Sequence, residues 1–115
     1  MRPEEGDAAC LWDMADAART ALDLTRGYDR SRYLGDRVMQ LAVERPVEII
    51  GEAARRISEA LRQAHPEIPW RSIIAQRHVL AHEYGEIKQD RMWRLVADDL
   101  PKLLEALAPL APTED

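Results

Sequence analysis

Residues 73–85 have the sequence IIAQRHVLAHEYG, which joins an apolar helical stripe to a dense group of reactive side chains. The apolar spacing predicts a helix, and the closing glycine predicts its end. Five residues able to take part in chemistry lie within eight positions of this stretch: Arg77, His78, His82, Glu83 and Tyr84. We therefore expect this helix to carry the functional site and the rest of the chain to act as its scaffold.

The composition favours helices over strands. Of the 115 residues, 46% are hydrophobic and 32% are charged, Phe is absent, and Ala, Leu, Arg and Glu are abundant. These residue types favour helices, and the length suits one domain that spans residues 1–115. We expect the two ends of this domain, residues 1–6 and 110–115, to fray.

Hydropathy and cysteine content predict a cytoplasmic protein with no membrane contact. No run approaches the ~20 apolar residues of a membrane span, and the N-terminus lacks the apolar segment of a signal peptide. The single cysteine, Cys10, allows no internal disulfide, which suits a reducing compartment. The net charge of -5 argues mildly against a surface that coats nucleic acid, but it is compatible with a local basic pocket.

Apolar residues at helical spacing, together with capping residues and prolines, divide the chain into four to five helices. The first three predicted helices run from Asp7 to about Arg26, from Asp36 to about Ala64, and from about Trp70 to Glu83. The fourth begins at Asp90. A break or sharp kink at residues 98–101 separates it from a last helical segment with Leu103 and Leu107. Asp7 and Asp90 are the predicted N-caps of the first and fourth helices. Since no segment alternates like a strand, the predicted fold is all-α, an antiparallel up-and-down helical bundle.

The reactive residues of the third helix do not all share one face. His78 and His82 are four residues apart and lie on the same face of a regular helix, whereas Arg77 and His82 are ~140° apart. Arg77 and His82 can meet one ligand if the helix unwinds near Gly85. They can also do so if two copies of the helix pair and form a composite groove.

A metal site is weakly supported by this pattern, and we predict none. His78 and His82 can bind one ion together, but zinc needs a third ligand, and Val79 replaces the glutamate of a His-Glu-x-x-His helix. Acid–base chemistry on a phosphate fits better, because histidine moves protons near neutral pH and arginine binds phosphate. The spacing alone is equally compatible with a structural role for His82.

The order of Arg77, His82 and Tyr84 resembles the Arg-x4-His-x-Tyr motif of the HepT-like toxins of the HEPN superfamily. The flanking sequence is similar to the family pattern in order and spacing at residues 49–54 (IIGEAA), 66–70 (PEIPW), 73–74 (II), 93 (W) and 99–101 (DLP). The resemblance covers roughly residues 11–107. The motif together with these flanks is a fairly specific match.

The resemblance implies a HEPN-like helical bundle that forms a homodimer, with the two motifs facing each other across a cleft. It implies a metal-independent ribonuclease that needs no cofactor. In such an enzyme the 2′-hydroxyl of RNA attacks the adjacent phosphate, while His82 transfers the proton and Arg77 holds the phosphate. It also implies a partner, a minimal nucleotidyltransferase antitoxin that attaches AMP to Tyr84 and thereby silences the toxin.

Two positions qualify the resemblance. The family usually has Asn after the motif arginine, where this chain has His78, a residue that keeps a polar role and adds a titratable group. Glu52 lies at a recurrent position and is a second candidate for a supporting role. A helix-surface residue, or a buried one satisfied by an arginine, explains Glu52 equally well.

Three interpretations follow from the sequence. In the first, the chain is the toxin of a type VII HEPN/MNT toxin–antitoxin system, a homodimeric endoribonuclease silenced by AMPylation of Tyr84. The alternative is a non-catalytic helical binding subunit of a nucleotidyltransferase complex, which the acidic net charge slightly favours. A purely structural helical dimer explains the apolar stripes but not the motif.

Overall fold

The computed structural model describes residues 5–110, apart from the side chains of Glu5, Arg77 and Val79. Within this range the chain forms helices and no strand. The elements are α1 Glu5–Leu24, α2 Arg30–Leu34, α3 Arg37–Arg56, α4 Glu59–Ala64, α5 Trp70–Ala81, α6 Gly85–Arg94, a π-helical turn Leu95–Asp99, and α7 Leu100–Leu107. The predicted all-α fold is confirmed.

The bundle is built from α1, α3, α5 and the helical run from α6 to α7. α1 packs against α3, α3 packs against α5, and α7 packs against α1. α1 contributes small buried residues such as Ala15, Ala18 and Ala21, which allow a neighbouring helix to approach closely. Larger buried side chains fill the core between the helices: Leu11, Met14, Val43, Ile50, Leu100 and Leu107. This core holds α5 in place.

A short helix, α2, occupies part of the segment that separates the first two predicted helices. The Asp29 carboxylate caps α2 by accepting a hydrogen bond from the Arg32 N–H at 2.8 Å. Tyr33 is fully buried, and its hydroxyl donates to Gln89 Oε1 of α6 at 3.0 Å. Burial, the largest cause, raises the pKa of Tyr33, so the phenol stays protonated and can donate. α2 therefore positions the first half of α6.

The prediction of one helix over residues 36–64 is wrong. α3 ends at Arg56, because Ile57 has an extended backbone, and Ser58 then caps α4. Asp7, the predicted N-cap of the first helix, lies inside α1 and is buried. Its carboxylate accepts hydrogen bonds from the Ser58 N–H at 2.7 Å and from the Ser58 hydroxyl at 2.5 Å. This long-range contact stabilises the junction between α3 and α4.

The prediction that Asp90 begins the fourth helix is also wrong. α6 begins at Gly85, and Asp90 lies inside it. The Asp90 carboxylate accepts a hydrogen bond from Arg30 Nε of α2 at 2.7 Å, and this hydrogen bond, the largest cause, lowers the pKa of Asp90. The role of Asp90 is therefore to join two helices.

Where a break or sharp kink was predicted at residues 98–101, the chain forms a π-helical turn, and the helix continues through it from Gly85 to Leu107. Pro101 lies in the first turn of α7. A proline in a helix lacks the N–H donor, and its ring clashes with the carbonyl four residues earlier, here that of Ala97. A π-helical turn loosens the helix at this point, so the proline is accommodated without ending the helix.

Residues 1–4 and 111–115, most of the two segments predicted to fray, lie outside the described residues. Of the remaining positions, Glu5 and Gly6 begin α1, and Leu110 packs against the core. Within residues 5–110, every helix is too short or too polar to traverse a lipid bilayer.

Candidate active site

The candidate site begins in α5, one side of which is packed against the core. Ile73 and Ile74 are partly buried against the core, and Leu80 is buried. Trp70 is buried at the start of the helix, and its indole N–H donates to the His65 carbonyl oxygen at 3.0 Å. These contacts fix the helix that carries the first half of the motif.

α5 ends at Ala81, two residues before the predicted end at Glu83. His82, Glu83 and Tyr84 form a short connection, and α6 begins at Gly85 with a φ of +66°. Glycine adopts this left-handed conformation without the steric cost that other residues meet. His82 and Tyr84 therefore lie in the short connection between α5 and α6.

Both ways in which Arg77 and His82 could reach one ligand stay predictions. α5 ends at Ala81, directly before His82, so the helix does end near Gly85. The contact between the His78 and His82 rings nevertheless keeps His82 on the side of α5 where a regular helix would place it. Arg77 lies near the end of α5, and its side chain lies outside the described residues.

The two histidines of the motif are in direct contact. The ring centroids of His78 and His82 are 4.4 Å apart, and the ring planes are inclined by 70°, an edge-to-face arrangement. Both side chains are exposed, so a bound molecule can reach them. Among residues 5–110 with described side chains, no group of three His, Cys, Asp or Glu could hold a metal ion. The pair is suited to accepting and donating protons.

A cavity of about 610 Å³ lies beside His78, between α3, α5 and α6. We call it the His78 cavity; its polar lining consists of Glu44, Glu48, Arg55, His78 and Lys88. Lys88 Nζ pairs with Glu44 Oε1 at 2.5 Å, and Glu48 Oε1 pairs with Arg45 Nη1 at 3.1 Å. Both carboxylates of the cavity are therefore neutralised by neighbouring cations.

A second cavity, of about 410 Å³, lies beside Tyr84. The Tyr84 side chain is 81% exposed and occupies the N-cap position of α6, where it makes no side-chain capping hydrogen bond. Glu83 lines the same cavity, and its Oε1 pairs with Arg91 Nη1 at 3.2 Å. Glu83 Oε2 is buried without a hydrogen-bond partner among the described residues. The Tyr84 hydroxyl is thus accessible beside a polar cavity.

A family model described as "Ribonuclease HepT-like" matches residues 14–110, which include the whole of residues 73–85. The chain belongs to the HepT-like ribonuclease family. Three similar proteins carry names that agree with this family. The "Probable ribonuclease HepT" of Thermococcus cleftensis is 38% identical over 93 residues, 81% of this chain and 84% of that protein. The "Putative RNase MJ1380" of Methanocaldococcus jannaschii is 33% identical over 95 residues, 83% and 87% of the two chains. The "Putative RNase TTE0752" of Caldanaerobacter subterraneus is 29% identical over 82 residues, 71% and 73% of the two chains. No solved structure gives a significant match.

Membership of the HepT-like family confirms the resemblance and the predicted enzyme class, a ribonuclease. The all-α bundle also agrees with the predicted HEPN-like architecture. The structure brings His78 and His82 together and exposes Tyr84 two residues after His82. The roles of the individual residues remain predictions.

Glu52, the second predicted supporting residue, is partly buried on α3. Glu52 does have an interaction partner, and it does not line the His78 cavity. Its predicted supporting role stays a prediction.

The sequence pattern did not predict the charged lining of the His78 cavity. Glu44 and Lys88 are far apart in the sequence, so no local spacing could pair them. The spacing on α3 could have indicated part of this lining, because Glu44, Glu48 and Arg55 are separated by four and seven residues and share one helix face.

Proposed function

We propose that this HepT-like chain is a metal-independent endoribonuclease, the toxin of a type VII HEPN/MNT toxin–antitoxin system in the cytoplasm. The observation that carries the proposal is the junction of α5 and α6, which exposes His82 and Tyr84 directly after the helix that bears Arg77 and His78. Solvent-exposed acid–base groups beside a cavity suit a long, flexible substrate such as RNA.

The proposed reaction is transesterification by the RNA itself. The 2′-oxygen attacks the adjacent phosphorus, a 2′-O–P bond forms, and the bond from phosphorus to the 5′-oxygen breaks. His82 either accepts the proton of the 2′-hydroxyl or gives a proton to the departing 5′-oxygen, and water transfers the other of these two protons. Arg77 holds the phosphate and stabilises the charge that develops on its oxygens. The products are a cyclic 2′,3′-phosphate and a 5′-hydroxyl.

His78 has a supporting role in this proposal. Its ring lies edge-to-face against that of His82 at 4.4 Å, so it restricts the orientation of the neighbouring imidazole. Orientation matters because proton transfer requires the histidine nitrogen within hydrogen-bond reach of the reacting oxygen. Glu52 remains a candidate whose contribution a substitution can measure.

The proposed cleft is shared by two copies of the chain. Three large apolar side chains are exposed on α3 and α6: Val38 (77%), Ile87 (67%) and Leu41 (50%). We place these side chains in the proposed interface, where association would cover apolar surface that is exposed in the single chain. In sedimentation velocity we expect a dimer for the parent and a monomer for Val38→Glu. Leu24→Glu, on α1, is the matched control and should stay dimeric. A parent protein that sediments only as a monomer argues against a shared cleft.

The proposed regulation acts on Tyr84. The tyrosine oxygen attacks the α-phosphorus of ATP, bound to the nucleotidyltransferase antitoxin, and pyrophosphate leaves. The bulky anionic adduct then lies two residues from His82 and competes with RNA for the cations of the site. The intact mass of the parent should rise by one or more AMP units after incubation with the antitoxin and ATP. Tyr28→Phe should gain the same mass and Tyr84→Phe none; an equal gain in Tyr84→Phe excludes this residue.

Cleavage is tested with labelled RNA in EDTA. Removing a proton-transfer residue typically slows a reaction by ~10²–10⁴-fold, so His82→Ala should be almost inactive. Arg77→Ala should also lose most activity, whereas Arg71→Ala, an exposed arginine earlier on α5, should match the parent. If the parent cuts no RNA but binds the transferase tightly, the alternative of a non-catalytic binding subunit takes precedence.

A further inference from the structure

The C-terminal end of α3 carries a group of arginines that the structure leaves without described carboxylate partners. Arg55 and Arg56 lie in the last turn of α3, and Arg62 of α4 reaches back to the same end. No ion pair joins any of these three to another residue with a described side chain.

Arg55 differs from its neighbours because it lines the His78 cavity. The two carboxylates of that cavity are paired with Lys88 and Arg45, so Arg55 is the cation of its lining that has no described ion-pair partner. His78 lines the same cavity and contacts His82. A positive charge thus borders the same space as His78, one member of the histidine pair.

Arg62, and not Arg55, binds the free carbonyl groups at the C-terminal end of α3. Arginines in the last turn of a helix commonly stabilise its free carbonyl groups. Here Arg62 performs that task, since its Nη2 donates to the Arg55 carbonyl oxygen at 2.7 Å and its Nε donates to the Ile57 carbonyl oxygen at 3.1 Å. The Arg55 guanidinium is exposed and available to a ligand.

We propose that the His78 cavity is an RNA subsite in which Arg55 binds a backbone phosphate, in the space that His78 also lines. The proposal rests on the proposed ribonuclease function and extends it to the substrate path. A guanidinium matches the oxygens of a phosphate with two parallel hydrogen bonds. Val47, Ile74 and Leu80 give the cavity an apolar wall against which a ribose or a base can pack. The bound phosphate is a neighbour of the one that is cut, so Arg55 is a positioning residue.

The test measures binding without cleavage. The full-length protein is titrated into fluorescent single-stranded RNA that carries 2′-O-methyl groups throughout, so that no 2′-hydroxyl can attack. Anisotropy is recorded over a series of salt concentrations. Each phosphate contact to a single strand contributes about -0.7 to the slope of log K against log salt. We expect Arg55→Ala to bind about fivefold more weakly at low salt and to have a slope shallower by about 0.7.

Arg56→Ala is the matched control, because it removes the same charge one residue away and outside the cavity. It should keep the parent slope. Arg55→Lys should keep the slope but bind more weakly than the parent. Lysine retains the charge but lacks the two parallel N–H donors that a guanidinium offers to a phosphate. Melting curves that superimpose for the three variants and the parent exclude unfolding as a cause.

The proposal is overturned if Arg55→Ala and the parent have equal slopes of log K against log salt. It is also overturned if Arg56→Ala reduces this slope as much as Arg55→Ala does. A parent that fails to bind this RNA overturns it as well. Each of these results is separate from the cleavage assay in EDTA, which tests the ribonuclease proposal by itself. A parent that cuts RNA while Arg55→Ala keeps its slope preserves the enzyme and removes this subsite.

Discussion

Replacing Gly85 with alanine tests the conformation that joins the two halves of the candidate site. Gly85 has a φ of +66°, and a Cβ added there would meet no atom within 4 Å. Any loss of stability in Gly85→Ala must therefore come from the backbone and not from a steric clash. The left-handed conformation costs a residue with a side chain ~1–2 kcal/mol, and the smaller entropy of unfolded alanine offsets part of this.

The expected net loss of stability is about 1 kcal/mol. For 115 residues, an unfolding entropy of ~2.1 cal/mol/K per residue gives ~240 cal/mol/K, so the melting temperature should fall by about 4 °C. Differential scanning calorimetry measures this shift directly. Gly85→Asn should lose less, because asparagine tolerates the left-handed conformation better than alanine.

Two other glycines provide matched controls. Gly35 lacks a positive φ, and an added Cβ would meet its nearest neighbour at an ordinary 3.7 Å, so Gly35→Ala should be neutral or slightly stabilising. Gly27 has a φ of +80° but lies far along the chain from the motif, so Gly27→Ala should lose stability without a specific effect on RNA cleavage. A Gly85→Ala protein that melts at or above the parent temperature refutes the left-handed start of α6.

Two further predictions concern the scaffold. Tyr33→Phe removes the hydroxyl that donates to the buried Gln89 Oε1. The free energy of unfolding should fall by ~1–3 kcal/mol, which lowers the urea concentration at the unfolding midpoint. An unchanged midpoint would show that Gln89 finds another partner. Hydrogen bonds from the Met39 N–H, the largest cause, and from the Tyr28 hydroxyl lower the pKa of Asp36 below its ordinary 3.8. Because the folded pKa is the lower one, this stabilisation is complete above the unfolded value and is lost as the pH falls through the folded value. The difference in melting temperature between the parent and Asp36→Asn should therefore be largest near neutral pH and shrink below pH 3.8, and a difference that grows in acid would contradict this sign.

The long helices were predictable from the sequence because their signals are local. Apolar spacing alone located most of α1, α3 and α5, and Asp36 does cap α3 by accepting a hydrogen bond from the Met39 N–H. The errors fall where a distant contact decides the outcome. Ser58 interrupts the second predicted helix, and its hydrogen bonds to Asp7 link positions 51 residues apart. No propensity of the local sequence contains that information.

The site was predictable in its chemistry but not in its surroundings. The motif pointed to His82 and Tyr84, and the glycine pointed to a helix end, but the sequence did not place that end at Ala81 or the start of α6 at Gly85. Asp90 illustrates the same difficulty, since a good capping residue also makes a good ion-pair partner, and Arg30 of α2 determines which role it takes. The walls of the His78 cavity depend on how three helices pack together.

The three-residue connection between α5 and α6 has a consequence for how such an enzyme can be controlled. A chain advances by at most ~3.3–3.6 Å per residue, so no more than about 7 Å of backbone separates the Cα atoms of His82 and Tyr84. A group attached to the exposed tyrosine can therefore lie close to the histidine without a change in fold. Inhibition at this position needs no second conformation of the protein, and removal of the group alone would restore the original surface.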